Sequence, residues 1–310
     1  MFSPKNYVIL RFMKRIITYK IDELNHGQSV LQFLKQQGYT RNVIVALKKT
    51  PEGILLNGRW AYVNEVLAAN DILVISLIEE PSDSSIVPVE QEFDIVYEDE
   101  DLLVVNKPAG MPVHPSLGHY EHTLANAVSY YFRQKGEAIV FRCLNRLDKD
   151  TTGLTVISKN MLAAGILNEQ MKMRHIKRTY YAICSGKTSV NGTITAPIAR
   201  KDNSTVERCV DFKNGETAIT NYTLLTYDEK KDLSFVKLQL ETGRTHQIRV
   251  HMKHIGHPLI GDFLYHPDYT YIDHQALHAG ELDFIHPITK EKMHFSSDLP
   301  VEMKRILTSV

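Results

Sequence analysis

The sequence predicts a mixed α+β protein with two folded units: a small α/β unit over residues 1–80 and a larger one over residues 93–310, joined by an acidic linker at 81–92. Three observations lead there. The 310 residues, 43% hydrophobic and 23% charged, can bury a sizeable core and exceed the usual single domain. Short apolar, β-branched runs alternate along the chain with segments whose apolar residues recur at helical spacing. Between residues 79 and 101 there is no Lys or Arg, whereas Glu79, Glu80, Asp83, Glu90, Glu92, Asp94, Glu98, Asp99, Glu100 and Asp101 are acidic and Pro81, Ser82, Ser84, Ser85 and Pro88 crowd the first half. That composition fits a solvated connection and would repel a phosphate backbone.

In the small unit, Val30, Leu31, Phe33 and Leu34 predict one helix. Val43, Ile44 and Leu47 predict a second, with Arg41, Lys48 and Lys49 on its other face. Ile54-Leu55-Leu56 before Asn57-Gly58 reads as a strand ending in a turn, and Ile72-Leu73-Val74-Ile75 as a further strand. The basic helix edge is either a solvated face or part of an RNA-binding module. In the larger unit, the continuous apolar run 102–105 predicts a buried strand, and 123–135 a helix with Leu124, Val128, Tyr131 and Phe132 on one face and Gly136 as its stop. A strand at 154–157, a helix at 161–174 and a strand at 180–183 follow. Residues 192–215 read as polar loop. Strands near 218–225 and 235–240 precede a helix from Thr245.

Several function classes are excluded. Lys and Arg number 36, as do Asp and Glu, so RNA would be met by a local basic surface rather than by net charge. Cys143, Cys184 and Cys209 are too few and scattered for a disulfide framework or a zinc ribbon and fit a reducing cytoplasm. No apolar run reaches bilayer length, and Lys5, Arg11, Lys14 and Arg15 break up any signal-peptide core; Met13 offers an alternative start. A cytoplasmic location without a membrane partner is therefore expected. There is no GxxxxGK[ST], GxGxxG or GxSxG motif. His246, His251, His254 and His257 are spaced by five, three and three residues, which does not align four imidazoles on one helix face, so no metal is expected.

Four segments of the larger unit carry polar groups that could do chemistry. In Leu144-Asn145-Arg146-Leu147-Asp148-Lys149-Asp150-Thr151-Thr152-Gly153-Leu154, one carboxylate sits on a turn beside an arginine and before a strand. It is either a reactive group or an Asx-type cap of local backbone. Asn106-Lys107-Pro108-Ala109-Gly110 is a rigid loop at a strand end, a frequent binding element. Lys177-Arg178-Thr179-Tyr180 joins basic groups to an aromatic ring, suited to phosphate contact plus stacking or simply to a half-buried strand start. In Thr242-Gly243-Arg244-Thr245-His246-Gln247-Ile248-Arg249, two arginines bracket a turn-to-helix junction. If Arg249 faces Asp148, it would hold that carboxylate ionised and oriented; otherwise both arginines are solvated.

Taken together and in this order, these segments resemble the pseudouridine synthases of the RluA type. The resemblance runs over nearly all of residues 95–300. It also takes in Tyr97-Glu98-Asp99, Gly256-His257-Pro258, Gly261-Asp262, Leu277-His278-Ala279 and His286-Pro287. Residues 16–77 look like a diverged form of the small αL-type RNA-binding domain that often precedes such catalytic domains. The resemblance implies an α+β catalytic domain built on a mainly antiparallel sheet, no cofactor, and an RNA partner, ribosomal or transfer. It implies that Asp148 is the catalytic carboxylate, that Tyr180 packs on the target base and is placed to assist loss of the C5 proton, and that Arg249 orients Asp148. Arg146 would fill the space left by a flipped uridine, while Lys107, Lys177, Arg178, Arg244, His246 and Gln247 would meet the RNA. Flipping costs a few kcal/mol, which backbone contacts offset. The N1–C1′ bond would break, the uracil turn, and C5 bond to C1′, with the carboxylate acting either as a nucleophile or as a base at the sugar.

One position departs from the pattern. The family usually has His before Arg-Leu-Asp, and this chain has Asn145, which keeps hydrogen-bonding capacity but carries no proton at neutral pH. Asn145 is expected to orient the loop. The alternative is a catalytically inactive RNA-binding protein of the same fold. No feature specifies an oligomeric state.

Overall fold

The computed structural model describes residues 11–80 and 86–308, apart from 117 and 119. Lys5 and the linker residues 81–85 lie outside them.

The first unit contains β1 (Arg11–Lys20), α1 (Val30–Gln36), α2 (Arg41–Lys49), β2 (Ile54–Leu56), β3 (Arg59–Trp60) and β4 (Ile72–Glu79). Ser29 starts α1 through a capping box with Gln32, and the Thr40 hydroxyl caps α2. Val30, Phe33, Leu34, Val43, Ile44 and Leu47 then pack on Ile54, Leu56, Leu73 and Ile75 of the sheet. The strand β1, which the apolar pattern does not announce, pairs antiparallel with β4 over eight residues from Met13 to Lys20. It escapes prediction because Arg11, Lys14, Arg15 and Lys20 interrupt its alternation and only Ile17 is fully buried.

The larger unit runs β5 (Asp94–Glu98), β6 (Leu102–Lys107), α3 (Leu124–Gln134), β7 (Glu137–Ala138), β8 (Thr152–Ser158), α4 (Met161–Lys172), β9 (Lys177–Ser185), β10 (Asn191–Thr195), β11 (Ile198–Arg200) and β12 (Arg208–Val210). It continues with β13 (Ile219–Asp228), β14 (Leu233–Leu240), α5 (Gln247–His254), β15 (Leu277–Ile285), β16 (Lys292–Ser296) and α6 (Val301–Thr308). Residues 192–215, expected as loop, hold β11, β12 and most of β10. They look like loop because β10 is an edge strand that buries Ile194 alone and β11–β12 is a three-residue hairpin.

The main sheet has the order β10-β13-β14-β9-β15-β8-β6-β5, with β16 also on β15. Its pairs are antiparallel except β8 with β15, which run parallel at Thr152–His278 and Gly153–Ala279. This is the α+β architecture expected. Helices α3 and α5 cover one face through Leu124, Val128, Phe132, Ile248 and Met252. Helix α4 covers the other through Ala163 and Leu167 against Val104, Val156 and Leu282. Burial on both faces explains why β6 reads as an unbroken apolar run. At the parallel joint Gly153 takes φ +112°, and a Cβ there would lie 2.6 Å from Ala279 N, so only glycine lets the two strands meet.

The acidic stretch is less solvated than its composition suggests. Asp101 and Glu79 are buried, because cations distant in sequence come to them. Arg15 donates to Asp101 at 2.9 and 3.0 Å and pairs with Glu100. Glu98 takes Lys135 and Lys159. Glu79, at the end of β4, accepts from the Met161 amide at the start of α4 and pairs with Arg142. Strand β7 adds to β1 in parallel. The first sheet is thus fastened to the second unit at several points.

Glu79→Ala removes an ion pair and a helix-terminal acceptor together, and is expected to cost about 2 kcal/mol. Urea denaturation should register this loss, while Glu80→Ala at the neighbouring exposed position stays within about 0.5 kcal/mol of the parent.

Candidate active site

The turn bearing Asp148 precedes β8 and closes with the Thr151 amide donating to Asp148 O at 3.1 Å. Buried Leu147 fixes it to the core, leaving Arg146 and Lys149 exposed on either side. Asn145 is buried. Its amide donates to Leu154 O at 3.1 Å, and its Oδ1 accepts from Val156 N and Thr155 Oγ1, both at 3.2 Å. It therefore staples the turn to β8. Thr152 Oγ1 reaches His278 Nδ1 at 2.8 Å, and Gln275 donates to Thr151 Oγ1 at 3.2 Å, fixing the other side to β15 and the segment before it.

Helix α5 delivers the partner. Its side chain of Arg249 is 1% exposed and donates from Nη1 to Asp148 Oδ2 at 2.9 Å. Nε and Nη2 take the two oxygens of buried Asp262 at 2.7 and 2.8 Å. The Asp148 side chain is 26% exposed, so this array of three charges opens to solvent at Asp148. Burial disfavours the Arg249 cation, but its bonds to Asp262 and the charges of Asp148 and Asp262 raise its pKa overall.

His246 enters α5 at φ +56°, a left-handed conformation that costs a non-glycine residue about 1 kcal/mol. Its Nε2 lies 3.9 Å from Asp148 Oδ2, and its Nδ1 meets Tyr265 Oη at 2.9 Å. Burial lowers its pKa despite the nearby Asp148 charge, so it is a neutral imidazole at neutral pH and the contact is not an ion pair. Tyr180 is buried on β9, opposite Leu238 of β14 and Ala279 of β15. Burial raises its phenol, with Arg178 pulling it back and Asp148 pushing it further up.

Two residues expected to meet RNA are turned inward. Lys107 is 1% exposed, and its Nζ donates to the carbonyls of Pro108, Met111 and Lys149, each at 2.8 Å. Gln247 Oε1 accepts from Thr242 Oγ1 and Arg244 N, and its Nε2 donates to Ile219 O and Thr220 Oγ1. Both have spent their polar atoms on the protein: Lys107 ties the β6 loop to the Asp148 turn, and Gln247 ties the start of α5 to β13. Arg146, Lys177 and Arg244 are exposed; Arg244 donates to Thr217 O and pairs with Glu216. Arg178 is half-buried beside Gly243.

The histidine cluster is dispersed. His251 is a core residue bonded to Thr220 Oγ1 and Ala196 O, and His257 meets Ser185 O. Among the described residues, the group close enough to hold a metal ion is Asp99, Asp101 and His286, away from Asp148 at the junction of the two units. His286 bonds Asp99 at 2.9 Å there, while Asp101 takes Arg15 and Asn160. Asp262 and Tyr265, central to the site, were singled out by no sequence pattern beyond the Gly261-Asp262 pair.

Known proteins resemble this chain over most of its length. A family model described as RNA pseudouridylate synthase matches residues 101–254. The RNA pseudouridine synthase YhcT of Bacillus subtilis is 38% identical over 287 residues, covering 92% of this chain and 94% of that protein. Ribosomal large subunit pseudouridine synthase D of Escherichia coli O157:H7 is 35% identical over 309 residues, covering 94% and 93%. The solved structure of human RNA pseudouridylate synthase domain containing 1 superposes with a TM-score of 0.55 at 27% identity, over 71% of this chain and 86% of that one. The chain belongs to the RNA pseudouridine synthase family, RluA type, whose members isomerise uridine to pseudouridine in RNA.

Lys107 supplies a pH test of the site's scaffold. Burial pulls its ammonium down to about 7, against the charges of Asp150 and Asp148. Above that pH the folded chain releases a proton that the unfolded lysine keeps up to about 10.4, so this residue's contribution shifts toward the folded state as pH rises between the two values. Lys107→Met is expected to be less stable at neutral pH, since three carbonyls lose their donor, and to lack that positive slope. Denaturation of both proteins across this range measures the difference.

Proposed function

We propose that this pseudouridine synthase acts on structured RNA of the large ribosomal subunit, with Asp148 as the catalytic carboxylate, Arg249 as its orienting partner and Tyr180 as the ring packed on the target base. The observation that carries the assignment is the 2.9 Å bond from a buried guanidinium to a carboxylate still open to solvent. Asp148 can reach a ribose brought to that opening, and Arg249 keeps it oriented. Arg146, exposed two residues away, is placed to occupy the helix space left by the flipped uridine, and Lys177, Arg178, Arg244 and His246 form the RNA-facing set. During the isomerisation the N1–C1′ bond breaks, C5 bonds to C1′, C5 loses its proton and N1 gains one. Asp148 serves at the sugar, either as nucleophile or as base.

The ribosomal substrate is supported by the relatives named for the large ribosomal subunit in Escherichia coli and Zymomonas mobilis, the latter 42% identical over 231 residues. Residues 1–80 are assigned as an RNA-binding-like domain presenting Arg41, Lys48 and Lys49. Three free thiols fit work in a reducing cytoplasm. The inactive reading draws little support from Asn145, which bonds to β8 backbone and Thr155 rather than to Asp148.

Tritium release from RNA labelled at uridine C5 tests this. Large-subunit ribosomal transcripts are expected to lose label with the parent protein, and Asp148→Ala to slow release by about 10³-fold or more while still binding RNA. Release from transfer RNA alone would reassign the substrate; release by Asp148→Ala would remove the carboxylate from the mechanism.

A further inference from the structure

We propose that Asp262 is a positioning residue for the reaction: it locks Arg249 so that a single N–H edge meets Asp148, and it balances the arginine's charge so that Asp148 stays reactive. This rests on the reading of Asp148 as the catalytic carboxylate.

The geometry is that of a holder around one guanidinium. Of the three nitrogens of Arg249, Asp262 takes Nε and Nη2 at 2.7 and 2.8 Å, a planar fork that fixes the guanidinium plane and leaves Nη1 for Asp148. The rings of Phe263 and Tyr265 lie 5.4 and 5.0 Å from Arg249 Cζ and add cation–π contact. Asp262 is itself held, because its Oδ1 also accepts from the amides of Leu264 and Tyr265 at 3.1 Å. Gly261, before it, has φ +71°, and a Cβ there would lie 2.8 Å from the His274 carbonyl carbon, so the turn is built closely against the next segment. The loop reaches a second group as well. Tyr265 Oη accepts from Arg208 N and meets His246 Nδ1, both at 2.9 Å, which sets the imidazole beside Asp148.

Two carboxylates share one cation, so the cluster carries a net charge of about −1 and the field of Arg249 at Asp148 is partly cancelled by Asp262. The other titratable or charged groups around Asp148 are neutral His246 at the start of α5, Lys107 at the end of β6, Tyr180 and Arg178 on β9, and Arg146, Lys149 and Asp150 in its own turn. None of them bonds Arg249, whose two partners are Asp148 and Asp262. Without the Asp262 charge, Arg249 would hold Asp148 as a more strongly stabilised and less reactive carboxylate.

Asp262→Asn and Asp262→Glu separate position from charge, read in single-turnover tritium release over a range of pH together with RNA affinity. Asp262→Asn is expected to lose about 10²-fold in rate with RNA affinity unchanged. Its acid limb should move to lower pH, because an uncompensated arginine favours the Asp148 anion. Asp262→Glu keeps the charge and displaces the fork, so it should lose rate by at least about tenfold and keep the parent limb. A purely structural role would lower thermal stability and active fraction in both variants and leave the limb fixed, which overturns the proposal, as does parent-like rate in Asp262→Glu. Should Asp262→Asn not fold, Asp262→Glu decides alone: loss of rate with parent-like thermal stability, active fraction and RNA affinity supports the role, whereas parent-like rate, or loss only in proportion to active fraction, overturns it. Asp148→Ala in the same assay keeps the underlying reading separate: its activity would sink that reading, whereas a dead Asp148→Ala beside an unimpaired Asp262→Asn sinks only the role of Asp262.

Discussion

The buried guanidinium of Arg249 is the constraint around which the catalytic unit is organised. A cation withdrawn from water costs several kcal/mol unless it is paired and its N–H groups are bonded. Asp262 answers along one edge and Asp148 at the remaining nitrogen. These residues come from the turn before β8, from α5 and from the loop that follows α5, so the charge is matched only when all three have docked. Forming the fold and forming the site are therefore the same event. Because Asp262 is closed off and Asp148 is not, the array also decides which carboxylate a substrate can reach.

A second constraint gives the array its stiffness. β8 and β15 are the parallel neighbours in an otherwise antiparallel sheet, and they touch where Gly153 faces the Ala279 backbone. From this joint the Thr152–His278 and Thr151–Gln275 bonds hold one side of the turn, and Asn145 holds the other. Lys107 reaches under it to the Lys149 carbonyl. The carboxylate of Asp148 therefore stands on a base fixed on three sides, the preorganisation that the proposed role at the sugar requires.

Much of this was legible before folding, and the failures have physical causes. Asp148, Tyr180 and Arg249 stand in segments whose order along the chain is specific, and the structure brings the carboxylate and the arginine into contact. Helices α1, α2 and α3 announce themselves because one face of each is apolar. Strand β1 does not, since charges interrupt its alternation: Arg15 serves the junction between the units on Asp101, while Arg11, Lys14 and Lys20 are exposed. Lys107 and Gln247 look like surface groups because sequence gives polarity and not direction. Lys107 ends a strand covered on both faces, and every residue of α5 from Gln247 to Met252 is buried, so facial arguments have no polar side to find. Asp262 appears in the sequence only within the Gly261-Asp262 pair, without a role, for a related reason: its value lies on the far edge of another residue's side chain.

The departure at Asn145 can be weighed on the same terms. Its side chain meets one carbonyl, one amide N–H and one hydroxyl, the inventory that a carboxamide satisfies with a donor and an acceptor at fixed positions. An imidazole could serve similar partners only in one tautomer, and its protonation would place a second cation near a carboxylate already held by Arg249. Asparagine removes that dependence on pH without removing the staple. On the far side of Asp148 from Asn145 stand Arg249, Asp262 and His246. Two of these are ionised and one neutral, and all three are contributed by α5 and the loop that follows it. On the reading of Asp148 as the catalytic carboxylate, its charge environment is supplied from the side of α5, and the Asn145 side fixes where the carboxylate stands.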